Sequence, residues 1–430
     1  MSQEQKLSLP MAILVNVNIM LGAGIFINTA ELARMAGALG AFGYPGVALL
    51  MLPLILSIAT LLRIHPGGGF YEFGARGIAP VAGFLSSWSY FTGKLASAAI
   101  MIHAAVSLIQ EVIPVFAAAN TLVIDVVILT LFTFLNMLNV RIGSAVQALF
   151  MGMKLVPIIF VILCGIAFIS GTHFGGEHLI WQGMPSMVPL LIYATIGFEA
   201  ACSLSGKIED PAKNAPRAVL YSYAFVIGIA FLYQFIFYGV LGNVLAWLDY
   251  RMIFSSFISA VMPIGTGGLV QFMLPLFVAS SALGGAYGIL FSNNWNLHTL
   301  ASHGHIFGAR LLRRLNLHGI PTACVIVEGF ICLLYLLITR GKQIPLQQIA
   351  ALGCLLAFAI SALSLLFSCL RSGRCARPLA VPLLALGNCL LLAFVCTQQL
   401  MRTGMLPFFY FCLMLLFGVV MFRVTKWQRA

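Results

Sequence analysis

The sequence predicts an all-α integral membrane protein of twelve transmembrane helices, and three observations carry that prediction. Only 8% of the 430 residues are charged while 61% are apolar, against about 25% charged in a soluble domain. So few charges cannot cover a surface that faces water. Apolar stretches of about 20 residues, the length that crosses the hydrocarbon core of a bilayer, recur from end to end. Lysine and arginine, finally, collect in alternate connections.

Taken in order, the apolar segments predict helices near residues 10–33, 39–62, 80–112, 121–138, 143–170, 186–205, 216–243, 268–299, 320–339, 345–370, 378–400 and 405–423. An even number leaves both termini on one side. Sixteen of the 23 lysines and arginines fall on that side, among them Arg63, Arg76, Lys207, Arg310, Arg374, Arg377 and Arg429. The opposite side holds Arg34, Arg251, Arg340, Lys342 and Arg402. Positive charge stays cytoplasmic, so both termini are expected there, in a cell membrane. The net charge of +12 is thus a topology signal, and the expected partner is the lipid bilayer, with no nucleic acid. The opening "MSQEQKLSLP" is polar and lacks the apolar core of a cleavable signal, so the first helix is expected to stay. Most of the ten cysteines lie in apolar runs without metal-ligand spacing, and they read as small core residues. No metal and no cofactor are expected.

The first helix contains "NIMLGAGIFINTAELA", with Gly22 and Gly24 at its centre. Each glycine costs about 1 kcal/mol against alanine in a helix interior. Five helices later, "PLLIYATIGFEAACSLSG" places Gly197 beside Glu199. Two interrupted segments, each heading a group of five helices, predict inverted repeats with a binding site between them. The repeats would span 10–170 and 186–370, with 378–423 peripheral. Unwinding a helix in mid-membrane frees backbone groups that a polar ligand can satisfy. N–H groups at Ala23, Gly24 and Ile25 open the second half-helix and suit a carboxylate. Freed carbonyls near Met20, Leu21, Tyr193, Ala194 and Ile196 suit an ammonium. An α-amino acid carries both groups. The competing explanation for such glycines is close helix packing.

Four stretches also resemble the amino acid–polyamine–organocation (APC) superfamily of secondary transporters. "GAGIF" at 22–26 is similar to the family's Gly-Ser-Gly-Ile-Phe. "PGGGFYEFGARGIAPVAGFLSSWSYF" at 66–91, "GFEAACSLSGKIEDPAKNAPRAV" at 197–219 and "SALGGAYGILFSNNWNLHTLASHG" at 281–304 follow in the family's order. The resemblance runs from the first helix through the ninth. It implies a five-plus-five inverted-repeat fold with broken helices one and six, and amino acid transport by alternating access, as exchanger or symporter. It also implies a carboxylate site on Gly22, Ala23 and Gly24, an amine site on Leu21, Tyr193, Ala194 and Ile196, and Tyr193 as the aromatic that closes over the substrate. Ala23 stands where the family has serine, and Ala286 where some relatives carry a bulky aromatic.

Ionisable residues inside a membrane mark pathways more often than not. Lys154 lies deep in the fifth helix. Sodium-coupled relatives hold a cation between helices one, five and eight, and several family members place a lysine there. The resemblance thus gives Lys154 a coupling role, with its ammonium on carbonyls near Gly22 and on the hydroxyl of Ser280 or Ser281. A static bridge between helices is the alternative. Glu199 is read as an anchor of the unwound segment or a gating sensor. Lys94 has three readings: facing the vestibule, favouring anionic substrates, or pairing with Glu199. His103, Asp125, His298 and Glu328 are single polar residues that caps or interhelical bonds explain.

Rival functions leave other signatures. A membrane enzyme needs a nucleophile, base or metal cluster at one depth, and none is visible. A channel needs a repeated polar face, whereas polar groups here gather at two breaks. A polyamine or other amine carrier would want acidic groups beyond Glu199.

Overall fold

The computed structural model describes residues 6–262, 268–372, 379–403 and 405–427, and its regular elements there are helices. Arg374, Arg377 and Arg429, which contribute to the charge asymmetry, lie outside the described residues. The chain begins with α1 (Leu9–Met20), α2 (Ala23–Ile27), α3 (Thr29–Ala36), α4 (Leu39–Ile64), α5 (Phe70–Gly77), α6 (Pro80–Val112), α7 (Pro114–Ala117), α8 (Thr121–Asn136) and α9 (Val140–Gly165). It continues with α10 (Met184–Thr195), α11 (Ala200–Ser203), α12 (Pro211–Leu241), α13 (Ile253–Val261), α14 (Gly268–Ser302) and α15 (Ala309–Leu312). Last come α16 (Thr322–Thr339), α17 (Gln343–Ser372), α18 (Ala380–Thr403) and α19 (Met405–Trp427).

Each of the twelve expected segments corresponds to a helix or to a broken pair. The first is α1 to α3 and the sixth is α10 with α11; the other ten are α4, α6, α8, α9, α12, α14, α16, α17, α18 and α19. Ten of the twelve spans are long and apolar enough to cross a membrane. Among the rest, α8 is a shorter apolar helix. Boundaries follow local chemistry. Asn120 and Asn139 cap α8 and α9 by accepting from Leu122 N–H at 2.9 Å and Ile142 N–H at 2.8 Å, as short polar side chains do at helix starts. Pro211 opens α12 five residues before the expected start, because proline needs no N–H partner in a first turn. Gly242, with φ of 56°, ends the same helix.

The core is built on α6, which packs along α14 on one side and α17 on the other. At the second contact two glycines bring backbones together. A side-chain carbon on Gly93 would lie 3.1 Å from Gly353 Cα, and one on Gly353 would lie 2.6 Å from the Ser89 carbonyl oxygen. On the outer helices the exposed side chains are large and apolar, as with Leu384, Leu390, Phe394, Phe409 and Leu416. That inverts the surface of a soluble protein and suits a hydrocarbon solvent.

The glycine contact is a packing constraint that can be measured. Gly353→Val should cost about 1–3 kcal/mol through overpacking and lower the detergent-solubilised Tm without reducing membrane insertion. An unchanged Tm would mean that α6 and α17 are free to move apart.

Candidate functional site at two broken helices

The first break follows from the glycines. Helix α1 stops at Met20, Gly22 turns the chain with φ −81° and ψ −145°, and α2 begins at Ala23. A kink at Asn28 then joins α2 to α3, with Asn28 N–H donating to the Gly24 carbonyl at 3.2 Å and Leu32 N–H to the Asn28 carbonyl at 2.8 Å. At the second break, Ile196 is extended and Gly197 has φ of 139°, a conformation that favours glycine. The start of α2 lies directly against the end of α10. A side-chain carbon on Gly24 would sit 2.9 Å from Ala194 Cα and 3.1 Å from Tyr193 Cδ1. Gly24 is therefore a close-packing glycine, whatever else its backbone does. Gly22 differs, because the nearest atom to such a carbon is the flexible end of Met101, Cε at 2.4 Å.

Buried side chains satisfy much of the backbone that the breaks set free. Asn16 spans from α1 to the second break, donating to the Phe198 carbonyl at 2.7 Å and accepting from Ala201 N–H at 3.1 Å. Two residues on and facing another way, Asn18 donates to the Gly284 carbonyl at 3.1 Å and to Gln147 Oε1. Glu199 accepts from Gly197 N–H through Oε2 at 2.7 Å. Its Oε1 accepts from the Tyr90 hydroxyl at 3.2 Å and lies 3.1 Å from Lys94 Nζ. Of the three readings of Lys94, the geometry has the pair with Glu199. Both side chains are buried, and removing one partner of such a pair costs about 3–5 kcal/mol.

Lys154 reaches the first break from α9. Its Nζ donates to the Asn18 carbonyl at 2.6 Å and to the Leu21 carbonyl at 2.8 Å. The Ser281 hydroxyl donates to the same Leu21 oxygen at 2.8 Å. Two expectations need correction here. Ser280 does not join this cluster, since its hydroxyl turns back to the Phe277 carbonyl of its own helix at 2.7 Å. Leu21 cannot hold a ligand's ammonium in this conformation either. A carbonyl oxygen has two lone pairs, and Lys154 and Ser281 take both.

The third span supplies a wall of which the sequence reading singled out Lys94 alone. Tyr90, Lys94, Ser97 and Met101 recur at four-, three- and four-residue intervals on α6 and so share one face. Tyr90 and Lys94 meet Glu199, Ser97 lies beside the Tyr193 hydroxyl, and Met101 rests on Gly22. Ile25, Tyr193, Ala194 and Ile196 are all buried around this wall, as is Ala286. Asn16 was also missed, although two asparagines flanking a glycine break in an apolar helix were a readable signal. Of the scattered polar residues, His103 Nδ1 meets Asp125 Oδ2 at 2.7 Å, His298 Nε2 sits 3.3 Å from the Arg313 carbonyl, and Glu328 is buried beside Asn293.

Above and below the breaks, few contacts hold the rims together. On the side of the chain termini, Leu7 N–H donates to the Lys207 carbonyl at 2.7 Å and Glu209 N–H to the Leu7 carbonyl at 2.9 Å. Ser205 Oγ donates to the Gly68 carbonyl at 2.5 Å, and the Tyr71 hydroxyl meets His305 Nε2 at 2.7 Å. The polar connections 63–80, 205–218 and 298–319 thus interlock at this rim. On the other side, Arg34 Nε donates to the Ala246 carbonyl and Ala38 N–H to the His178 carbonyl, both at 3.0 Å.

Several known proteins are similar to this chain in sequence or in fold. Amino-acid permease RocE of Bacillus subtilis is 25% identical over 345 residues, which cover 75% of this chain and 71% of that one. A putative arginine/ornithine antiporter of Escherichia coli is 25% identical over 258 residues, 56% of either chain, so the match spans little more than half of that relative. Among solved structures, a Na+-coupled sialic acid symporter in a substrate-bound outward-open state superposes with a TM-score of 0.56 over 92% of this chain and 91% of that one, at 13% identity. That likeness is one of fold. The sequence profile of the amino acid permease family matches residues 7–429, and the chain is a membrane transporter protein belonging to that family.

Proposed function

We propose that the protein carries amino acids across the cytoplasmic membrane by alternating access, as an exchanger or a proton-coupled symporter. The observation that carries this reading is the meeting of two opposite helix ends, α2 by its N-terminus and α10 by its C-terminus, at the centre of the fold. The first four N–H groups of a helix and its last four carbonyls lack intrahelical partners. N–H groups at Gly22, Ala23, Gly24 and Ile25 would take the carboxylate. Carbonyls at Tyr193, Ala194 and Ile196 would take the ammonium, without Leu21. Tyr193 packs on Gly24 and is suited to close the site as a gate, and Glu199 anchors the backbone that must move with it. The printed names of the permease and antiporter relatives support amino acids as the substrate class.

Two inverted repeats, 10–170 and 186–370 with 378–423 outside them, fit a mechanism in which the rims open in turn. Each rim is held by a few hydrogen bonds worth about 0.5–1.5 kcal/mol apiece, weak enough for substrate to shift the balance. The lysine and arginine asymmetry supports a cytoplasmic position for both termini and the Leu7–Lys207 rim. Lys154 is the coupling residue of this scheme. Its ammonium supplies the positive charge held on the Asn18 and Leu21 carbonyls, and the Ser281 hydroxyl shares the Leu21 oxygen with it.

Purified protein in liposomes should show counterflow of labelled amino acid, and methyl esters of transported amino acids should fail to compete. Gly22→Ala should cost less Tm than Gly24→Val, because Met101 can yield although the Ile19 carbonyl 3.0 Å away has less freedom, yet weaken binding about tenfold or more, equivalent to at least ~1.4 kcal/mol. Gly24→Val, by contrast, should lower Tm by forcing α2 from the α10 backbone. Efficient competition by the esters, or full binding by Gly22→Ala, would move the carboxylate elsewhere.

Lys154→Ala strips two buried carbonyls of a charged donor, an interaction of about 1.5–3 kcal/mol each. If this lysine couples, the variant should lose turnover and change apparent affinity on one side of the membrane more than its Tm loss explains. Equal kinetics from both sides in oriented liposomes, with an unchanged response to a pH gradient, would reduce it to a static bridge.

A further inference from the structure

The carboxylate and ammonium sites leave one question of specificity open, and the third span bears on it. Lys94 Nζ stands 3.1 Å from Glu199 Oε1, with the two side chains 2% and 0% exposed. Next to this pair, on the same face of α6, Ser97 lies beside Tyr193 and Met101 meets Gly22. The pair is therefore on the wall of the proposed site rather than in a separate region.

Its surroundings are apolar. The Phe70 ring packs on Tyr90 with centroids 4.5 Å apart, and Phe198 stacks on Phe358 at 5.6 Å. In such a medium charges interact strongly and salt does not screen them. The balance of fixed charge then decides which ligand charge is tolerated. Glu199 supplies the negative charge at the breaks, and Lys94 already neutralises it. Lys154 adds a second ammonium, held on the Asn18 and Leu21 carbonyls. A zwitterion adds no net charge to this set. An amino acid with a cationic side chain brings a positive charge to a place where two ammoniums stand and Glu199 is already paired.

We infer that Lys94 is a specificity-determining residue that bars amino acids with cationic side chains, by occupying the carboxylate that would otherwise receive them. The inference rests on the amino acid reading of the site and deepens it.

Counterflow in liposomes tests both levels. With the wild type, excess arginine, ornithine or lysine should compete at least tenfold more weakly than the best amino acid with an uncharged side chain. Lys94→Met should leave Glu199 without its cation and raise competition by arginine relative to that neutral substrate tenfold or more. Adding Glu199→Gln removes the carboxylate together with its cation and should return the ratio to the wild-type value; should Lys94→Met fail to fold, Lys94→Gln, which carries no charge but can still donate to Glu199, takes its place with the same expectation. Wild-type transport of arginine or ornithine as efficient as that of neutral amino acids would overturn the inference and leave amino acid transport standing. Wild-type discrimination retained in both variants would overturn it equally. Absence of counterflow with every amino acid would remove the functional reading itself, and the role of Lys94 with it.

Discussion

A backbone cut in mid-membrane must find partners for its N–H and C=O groups without water, and the centre of this protein is organised around that requirement. Each unmet group costs several kcal/mol. The partners come from far along the chain: Asn16 binds both sides of the second break, Glu199 caps Gly197, and Lys154 with Ser281 saturates Leu21. These side chains are buried in turn and would be expensive alone. Break and polar residues therefore stabilise one another, and neither makes sense without the other. What they leave open, the start of α2 and the end of α10, is the polar backbone that a ligand can claim.

The same constraint shapes the electrostatics. Lys94 and Glu199 cancel across 3.1 Å, and Lys154 sits on carbonyl dipoles with no acid as its partner. Dipoles solvate a cation without neutralising it, so the first break keeps a positive character that suits a carboxylate. At the rims the logic reverses. Contacts there are individual hydrogen bonds of backbone and side chains alike, such as Leu7 with Lys207, Ser205 with Gly68, or Arg34 with Ala246, each worth about 0.5–1.5 kcal/mol.

Much of this could be read from the residues. Twelve spans were legible because bilayer thickness fixes helix length, and the two breaks because glycine in a helix interior demands a reason. The misses share a physical cause. Saturation of Leu21 depends on which helix faces its carbonyl, and a sequence lists donors such as Lys154 and Ser281 without saying that they converge on one oxygen. Ser280 and Ser281 are adjacent, yet about 100° of helical rotation sends one to Leu21 and the other back to Phe277. Asn16 and Asn18, two residues apart, likewise reach different helices. Helical phase was available for these pairs, but the identity of the facing neighbour was not.

Gly24 shows why packing and binding need not be rival explanations. No side chain fits between its backbone and Ala194, since even one carbon would lie 2.9 Å from Ala194 Cα. That contact brings the positive end of one half-helix against the negative end of another, and the two ends attract across the gap. Under the amino acid reading proposed above, a zwitterion there would meet a field polarised in the direction of its own dipole, with carboxylate toward α2 and ammonium toward α10. A bulkier residue would separate the ends, weaken the field and misplace both half-sites at once. The glycine that lets the helices touch is thus also what sets the spacing of the site, and selection on either property would preserve the other.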